Sequence, residues 1–207
     1  KPKTPPSQQP VSVIAFDFDG TITTEDTFAL FLRYWAGTPK WAFNLLLLLP
    51  FFLLYVLKII DRNQVKIHVV RRFFKGADAK ALERKADKFA KEVIPQYVRP
   101  KALAELKAKL EGESRVMIVS ASISPYLDSW GQAHGVRHIV ATNLAKMNGR
   151  LTGELDGPNC WGPGKLTKIQ AYMGQTPYII EESYGDTRGD REMLHAARVS
   201  HFKPFRL

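Results

Sequence analysis

The chain has 207 residues and one cysteine, Cys160. No internal disulfide can form, and a reducing compartment is expected. With no motif around it, Cys160 reads as structural rather than as a nucleophile. No internal repeat and no signal-peptide pattern are visible. Acidic side chains are scarce: 20 Asp and Glu face 30 Lys and Arg, for a formal charge of +10. Long apolar runs are also missing, with one exception, WAFNLLLLLPFFLLYVLKII at 41–60.

The positive excess is concentrated. Residues 58–111 carry 15 Lys and Arg against 7 Asp and Glu, a net of +8, which leaves +2 for the rest. Such a block suits an anionic partner: nucleic acid, a phosphorylated substrate or an anionic lipid surface. Nucleic acid ranks last, because few aromatics interleave with the block and no binding motif accompanies it.

VSVIAFDF (11–18), SRVMIVS (114–120), VRHIVAT (136–142), PYIIEESYGD (177–186) and RVSHFKPF (198–205) read as strands. Helical spacing covers 102–112, 125–135, 164–174 and 190–197, and Asn148-Gly149 marks a hairpin. Strands alternating with helices predict an α/β fold: a Rossmann-like, mostly parallel sheet with helices on both faces. Residues 25–98 read as an inserted, mostly helical cap. The core domain is then 11–24 and 99–207, and 1–10 (KPKTPPSQQP) reads as a disordered tail.

In such sheets ligands bind at the carboxyl ends of the strands, and the polar residues gather there. Asp17 and Asp19 close the first strand, in FDFDGTIT, before Gly20. Two adjacent carboxylates repel; a cation must lie beside them, or one must keep a proton. Ser120 ends the second strand within VSAS, Lys165 opens a helix after Gly162-Pro163-Gly164, and GDTRGD carries Asp186 and Asp190. Each signal alone has a bland reading as a turn, cap or strand end. Their order is more specific: acid pair, hydroxyl, lysine, acid pair.

This ordered set resembles the four motifs of the haloacid dehalogenase superfamily, phosphatase branch, and the insertion after the first motif resembles the cap of its phosphoserine-phosphatase-like members. The resemblance implies a phosphomonoesterase with Asp17 as nucleophile and Asp19 as general acid and base. It implies Mg²⁺ held by Asp17, Asp186 and the Asp19 main-chain carbonyl, and phosphoryl oxygens cradled by Lys165, Ser120, Ala121 and Thr21. Asp190 is expected to orient Lys165 or a metal-bound water. A dehalogenase is disfavoured, because Asp19 has a role only where a leaving alcohol needs a proton. Gly189 departs from the family pattern, in which many members carry Asn before the final Asp.

Twenty helical residues cover about 30 Å, the hydrocarbon thickness of a bilayer. A single crossing by 41–60 would put Asp17 and Asp19 on one side and Ser120, Lys165 and Asp186 on the other, so it is excluded if the motifs form one site. Pro50 is expected to break the segment into two short helices, 41–49 and 51–60, a hairpin wedge at a membrane surface. Tyr34, Trp35, Trp41, Tyr55 and Lys58 would be its interfacial anchors. A cap core or dimer interface is the alternative. FLRYW (31–35), the leucine-rich run and RNQVK resemble the bacterial phosphatidylglycerophosphatase C family. That resemblance implies a lipid phosphate substrate, phospholipid metabolism and a place at the cytoplasmic face of the inner membrane. Arg62, Lys66, Arg71 and Arg72 are candidate headgroup contacts, and Asp26 a cap residue facing the substrate. The rivals are a soluble phosphatase of small metabolites in the cytoplasm and a non-catalytic membrane-binding module.

Overall fold

The computed structural model describes residues 9–206. The tail expected over 1–10 lies outside it except for Gln9 and Pro10. Among the described residues six strands form one sheet: β1 (Val11–Phe16), β2 (Arg115–Ile123), β3 (His138–Met147), β4 (Arg150–Asp156), β5 (Tyr178–Gly185) and β6 (Val199–Phe202). Their order is β4-β3-β2-β1-β5-β6, and all pairs are parallel except β3 with β4. The expected α/β fold is present. The antiparallel pair turns at Asn148 (φ 50°) and Gly149 (φ 76°), the backbone that a two-residue hairpin with Asn-Gly prefers.

Alternation along β1 divides the core. Val13 and Ala15 pack with Met117, Val119, Ile169 and Met173 on one face. Ile14 and Phe16 join the larger cluster on the other face. Helix α7 (Pro163–Met173) covers the first face, while α5 (Pro100–Leu110) and α6 (Ser124–His134) contribute to the second. Helix α8 (Arg191–Ala196) leads into β6.

Four helices stand between β1 and α5: α1 (Thr27–Ala36), α2 (Thr38–Val56), α3 (Arg62–Phe74) and α4 (Ala79–Glu92). The chain enters and leaves them through one neck, where Thr24 N donates to Tyr97 O at 2.8 Å and Arg99 N to Ile22 O at 2.8 Å. Phe31 and Phe89 meet Tyr126 of α6, each with ring centroids 5.2 Å apart, so one aromatic cluster seats these helices on the sheet. The β3–β4 hairpin buttresses them too: Ala79 N donates to Gly149 O, Gly76 N donates to Leu151 O, and Leu151 N donates to Ala77 O.

The break at Pro50 is not seen. α2 runs unbroken through it. A proline removes one amide donor, and the bonds on either side of it hold the helix together. The reversal comes later, at 57–61, where Lys58 adopts φ 58° and Asp61 caps α3 with a complete capping box. The hairpin is therefore α2 against α3, not two halves of 41–60. Asn44 and Leu48 are buried, and Phe51 and Phe52 are partly buried, a stripe at helical spacing. Phe43, Leu46, Leu49, Leu53 and Val56 are exposed on the rest of the helix. Among the described residues α2 alone is long and apolar enough to cross a membrane, and only 11% of its apolar window is buried. Tyr34 and Trp35 pack against the core rather than projecting outward, with Trp35 Nε1 donating to Phe73 O at 3.1 Å.

Candidate active site

Register brings the motifs together. Phe16 pairs with Ile118 on one side and Tyr184 on the other, so Asp17 stands beside the ends of β2 and β5. Asp17 N donates to Tyr184 O at 2.9 Å. The Asp17 carboxylate is buried; Oδ1 lies 2.6 Å from Lys165 Nζ, and Oδ2 accepts from Thr21 Oγ1 at 3.2 Å. Lys165, in the first turn of α7, reaches across the sheet end. Its ammonium also meets Asp190 Oδ1 at 2.6 Å and donates to Val119 O at 2.7 Å. Burial opposes the charge on Lys165, but Asp17 and Asp190 outweigh it and raise its pKa. Burial holds the Asp17 carboxyl well above its ordinary range, against the pull of Lys165 and with Asp190 and Asp19 adding to the rise.

Asp190 Oδ2 accepts from Asp186 N and Thr187 N, both at 3.0 Å. Burial would raise Asp190, but Lys165 and these amides hold it below the usual range. Its oxygens are thus committed to orienting Lys165 and the loop after β5.

Asp19 points the other way. Oδ1 accepts from Thr27 N at 2.7 Å and Thr27 Oγ1 at 2.5 Å; Oδ2 accepts from Ser122 Oγ at 2.5 Å and Ser120 Oγ at 3.4 Å. Burial first, and Asp26 next, raise its pKa to about 6, against the pull of these hydrogen bonds. Thr27 opens α1, so the first turn of the inserted helices fixes this carboxyl. Ser120 is fully buried, and its Oγ also accepts from Ser122 N at 3.0 Å.

The residues fit a hard cation. Asp17, Asp186 and Asp190 present carboxylate oxygens within 4.8 Å of one another. Asp186 Oδ1 is buried with no hydrogen-bond partner. A Cβ on Gly20, which has φ +80°, would lie 2.2 Å from Asp186 Oδ2, so this carboxylate reaches the first motif only across a glycine. An all-oxygen set suits a divalent ion such as Mg²⁺. Asp190 has one oxygen on Lys165 and the other on two amides, whereas Asp186 Oδ1 has no partner and Asp17 Oδ2 takes only the 3.2 Å bond from Thr21, so Asp17 and Asp186 are the side chains with oxygens left to hold it. The Asp19 carboxylate faces Thr27 and Ser122 instead, which leaves that residue its main-chain carbonyl. Burial and Asp190 raise the Asp186 pKa, and Arg206 opposes them, its Nη2 2.5 Å from Asp186 Oδ2.

Asp17, Asp19, Ser122, Lys165, Asp186 and Asp190 line a cavity of about 490 Å³ between the sheet end and the inserted helices, whereas Thr21, Ser120 and Thr27 are buried and do not line it. Asp26, Phe28, Arg62, Val65, Lys66 and Val69 form its cap side, with Phe52 and Tyr55 from α2. Asp26 lines it while its carboxylate caps α1, accepting from Ala29 N at 3.0 Å. Ala121 lines it as well, its carbonyl taking a hydrogen bond from the Lys66 ammonium. Arg71 and Arg72, expected at the headgroup, lie elsewhere. Arg71 pairs with Glu154 at 2.5 Å, and Arg72 Nε donates to Asn44 Oδ1 at 2.8 Å. Positions 62, 65, 66 and 69 form one face of α3; 71 falls on the opposite side, and 72, near the phase of 65, lies about 15 Å further along the axis than 62 and is held by Asn44 of α2.

Several residues of the site were not singled out from the sequence. Ser122 lies two residues beyond Ser120 on the same strand and was legible in VSAS. Thr27, Asn159, Trp161 and Arg206 were not, since each looks like an ordinary helix start, loop or chain-end residue. Trp161 explains the departure at Gly189: a Cβ there would lie 2.2 Å from the indole Nε1. Cys160 is buried, and burial pushes its thiol up to about 11, which makes it inert at neutral pH.

Protein CicA of Caulobacter vibrioides, in strains NA1000 and ATCC 19089, is 36% identical over 197 residues, covering 94% of this chain and 86% of the relative. A Bordetella pertussis Tohama I protein of unknown function shares the fold with a TM-score of 0.80 at 19% identity, over 93% of this chain and 89% of that one. A phosphoserine phosphatase solved as a phospho-aspartyl intermediate analogue shares it with a TM-score of 0.61 at 20% identity, over 93% and 86%. The haloacid dehalogenase-like hydrolase family matches residues 14–195. The chain belongs to the haloacid dehalogenase-like hydrolases.

Proposed function

We propose that this hydrolase removes phosphate from a lipid phosphomonoester, such as phosphatidylglycerophosphate, at the cytoplasmic face of a bacterial inner membrane. Asp17 attacks phosphorus and the P–O bond to the alcohol breaks, leaving an aspartyl-phosphate. Asp19, whose pKa of about 6 lets it carry a proton near neutrality, gives that proton to the departing alkoxide. It then takes one from the water that hydrolyses the acyl phosphate, releasing inorganic phosphate. Lys165 and the hydroxyl of Thr21 hold the Asp17 carboxylate in place. Mg²⁺, held by Asp17, Asp186 and the Asp19 carbonyl, would supply positive charge where two anions must approach.

The lipid half of the reading rests on one observation. Phe52 and Tyr55 of α2 line the cavity, while Leu49, Leu53 and Val56 of the same helix are exposed. A contiguous run of exposed large apolar side chains marks a contact with membrane or protein. The basic block beginning at Lys58 follows at once, and the two signals together suit an anionic lipid surface. A soluble phosphoserine-like substrate is the second reading, favoured by Asp26 at the cavity wall.

Phosphate release with Mg²⁺ from phosphatidylglycerophosphate, phosphatidate, lysophosphatidate and phosphoserine in mixed micelles tests both readings. The lipid reading expects a preference for the phospholipids; a clear preference for phosphoserine overturns it. Asp17→Asn is expected to abolish turnover with the fold intact, and turnover retained in that variant overturns the chemistry.

A further inference from the structure

A second basic concavity lies away from the catalytic cavity. α1, α2 and α4 border a cleft of about 410 Å³ lined by Lys40, Arg84, Lys85 and Lys88, to which Trp35 and Ala81 add apolar surface. It shares no residue with the catalytic cavity. Positions 81, 84, 85 and 88 are spaced i, i+3, i+4 and i+7, so α4 presents them on one face. Lys40 comes from the first turn of α2.

Among the described residues none of these four cations has a carboxylate within ion-pairing distance. Two acids of the same helix are turned to other partners. Glu83 pairs with Lys146 at 3.4 Å; Asp87 pairs with Lys91 at 2.8 Å and accepts from Ser129 Oγ at 2.6 Å. Lys85 donates to a neutral acceptor, Trp35 O, at 2.9 Å, with its ammonium 5.2 Å from the Trp35 ring centroid. Four cations at one cleft repel one another, and an anion there would relieve the repulsion. The neighbouring surface says which anion. Lys40, Phe43 and Leu47 lie at i, i+3 and i+7 on one side of α2, within about 10 Å along its axis. Phe43 is 55% exposed and Leu47 43%, so the cleft adjoins the open apolar face of this helix. A soluble anion would use the cations alone. An anionic phospholipid uses both features, with its phosphodiester on the cations and its acyl chains on Phe43 and Leu47.

We infer that this cleft holds the phosphodiester headgroup of an anionic phospholipid that is not the substrate, and so docks the start of α2 at the headgroup level of a bilayer. The inference rests on the membrane half of the proposed function and is independent of the chemistry at Asp17. It separates two tasks: the catalytic cavity takes the phosphate to be cleaved, and the cleft takes a lipid that stays intact and orients the inserted helices on the surface.

The test measures binding of the full chain to vesicles of phosphatidylglycerol mixed with phosphatidylcholine, and to vesicles of phosphatidylcholine alone. One variant combines Lys40→Gln, Arg84→Gln and Lys88→Gln; Lys85 is kept because it bonds the end of α1. A control removes the same charge elsewhere, through Lys101→Gln, Lys107→Gln and Arg137→Gln, exposed positions that do not line the cleft. Each cation lost near an anionic surface weakens binding about fivefold, so the cleft variant is expected to bind the mixed vesicles about a hundredfold more weakly. Its binding to phosphatidylcholine alone, its melting temperature and its hydrolysis of p-nitrophenyl phosphate are expected to stay unchanged, and the control is expected to lose far less. An equal loss in the control overturns the cleft, because diffuse charge would then carry the binding. Mixed-vesicle binding that the cleft variant retains also overturns it, and loss of glycerol 3-phosphate binding in that same variant would give the cleft to a soluble anion. Failure of the unaltered protein to bind either vesicle overturns the cleft and the membrane reading together, whereas an effect confined to the cleft variant's companion control leaves the membrane reading standing and removes the cleft.

Discussion

Lys165 Nζ stands 2.6 Å from Asp17 Oδ1, with both side chains buried. The same ammonium holds Asp190 at 2.6 Å. Removing it strands two carboxylates in a dry site. Breaking a buried charge network from one side costs about 3–5 kcal/mol, far more than the net worth of the pair. Lys165→Met is therefore expected to lose activity and stability together, read by urea unfolding at pH 7. Asp17→Asn, which keeps shape and a hydrogen-bonding oxygen, is expected to lose activity with a much smaller stability change. Equal stability losses in the two variants would contradict this picture of the site.

Asp19 predicts the pH profile. Its folded pKa is raised to about 6, so the proton it offers a leaving alkoxide is present below that pH and lost as pH rises through it. With an alkyl phosphate, first-turnover rates are expected to decline above about pH 6. With p-nitrophenyl phosphate, whose leaving group needs no proton, that limb is expected to be absent. In the first-turnover step Asp19→Asn should cost about 10²–10⁴-fold on the alkyl substrate and much less on the aryl one, while the later hydrolysis of the aspartyl-phosphate slows equally for both. Identical losses on both would remove Asp19 from the acid role.

The same residues explain how far the sequence could be read. Asp17, Ser120, Lys165, Asp186 and Asp190 were legible because the chemistry sits at the ends of apolar strands, where polar side chains stand out. Their pairing was less so. Nothing in GDTRGD says that Asp190 gives one oxygen to Lys165 and the other to two amides. Pro50 misled, because the one amide donor that proline removes counts for less than the bonds on either side of it, and Phe51 next to it stacks on His68 of α3. Arg71 and Arg72 misled for geometric reasons: helix phase turns Arg71 away from the cavity, and Arg72 lies at the far end of α3, bonded to Asn44 of α2. Gly189 made sense only once Trp161, 28 positions away in the chain, was seen lying on it.

Arg206 competes with any cation for Asp186. Its Nη2 is 2.5 Å from Asp186 Oδ2, and its side chain is half-exposed, so the pair is worth about 1 kcal/mol after screening. Arg206→Ala is expected to lower the melting temperature of the metal-free protein. In Mg²⁺ the loss is expected to shrink, because the ion replaces the guanidinium as partner to the carboxylate. Calorimetry should show Mg²⁺ affinity rising about fivefold, the same energy read as a binding constant. Unchanged affinity would mean that Arg206 and the ion do not share this carboxylate.

The exposed face of α2 yields the sharpest test of location. Leu46 and Leu53 are 60% and 59% exposed, and neither lines the cavity. Glutamate at either position meets water in the isolated protein, so folding stability is expected to stay within about 0.5 kcal/mol. On a bilayer the same change removes a leucine worth about 1.5–3 kcal/mol of burial and brings a like charge to an anionic surface. Leu46→Glu and Leu53→Glu are each expected to weaken co-sedimentation with vesicles rich in phosphatidylglycerol by about tenfold or more, on the same burial energy. Hydrolysis of a water-soluble aryl phosphate should be unaffected, since the site lies on the other side of the helix. Vesicle binding that survives both substitutions would show that this helix is covered by something other than lipid.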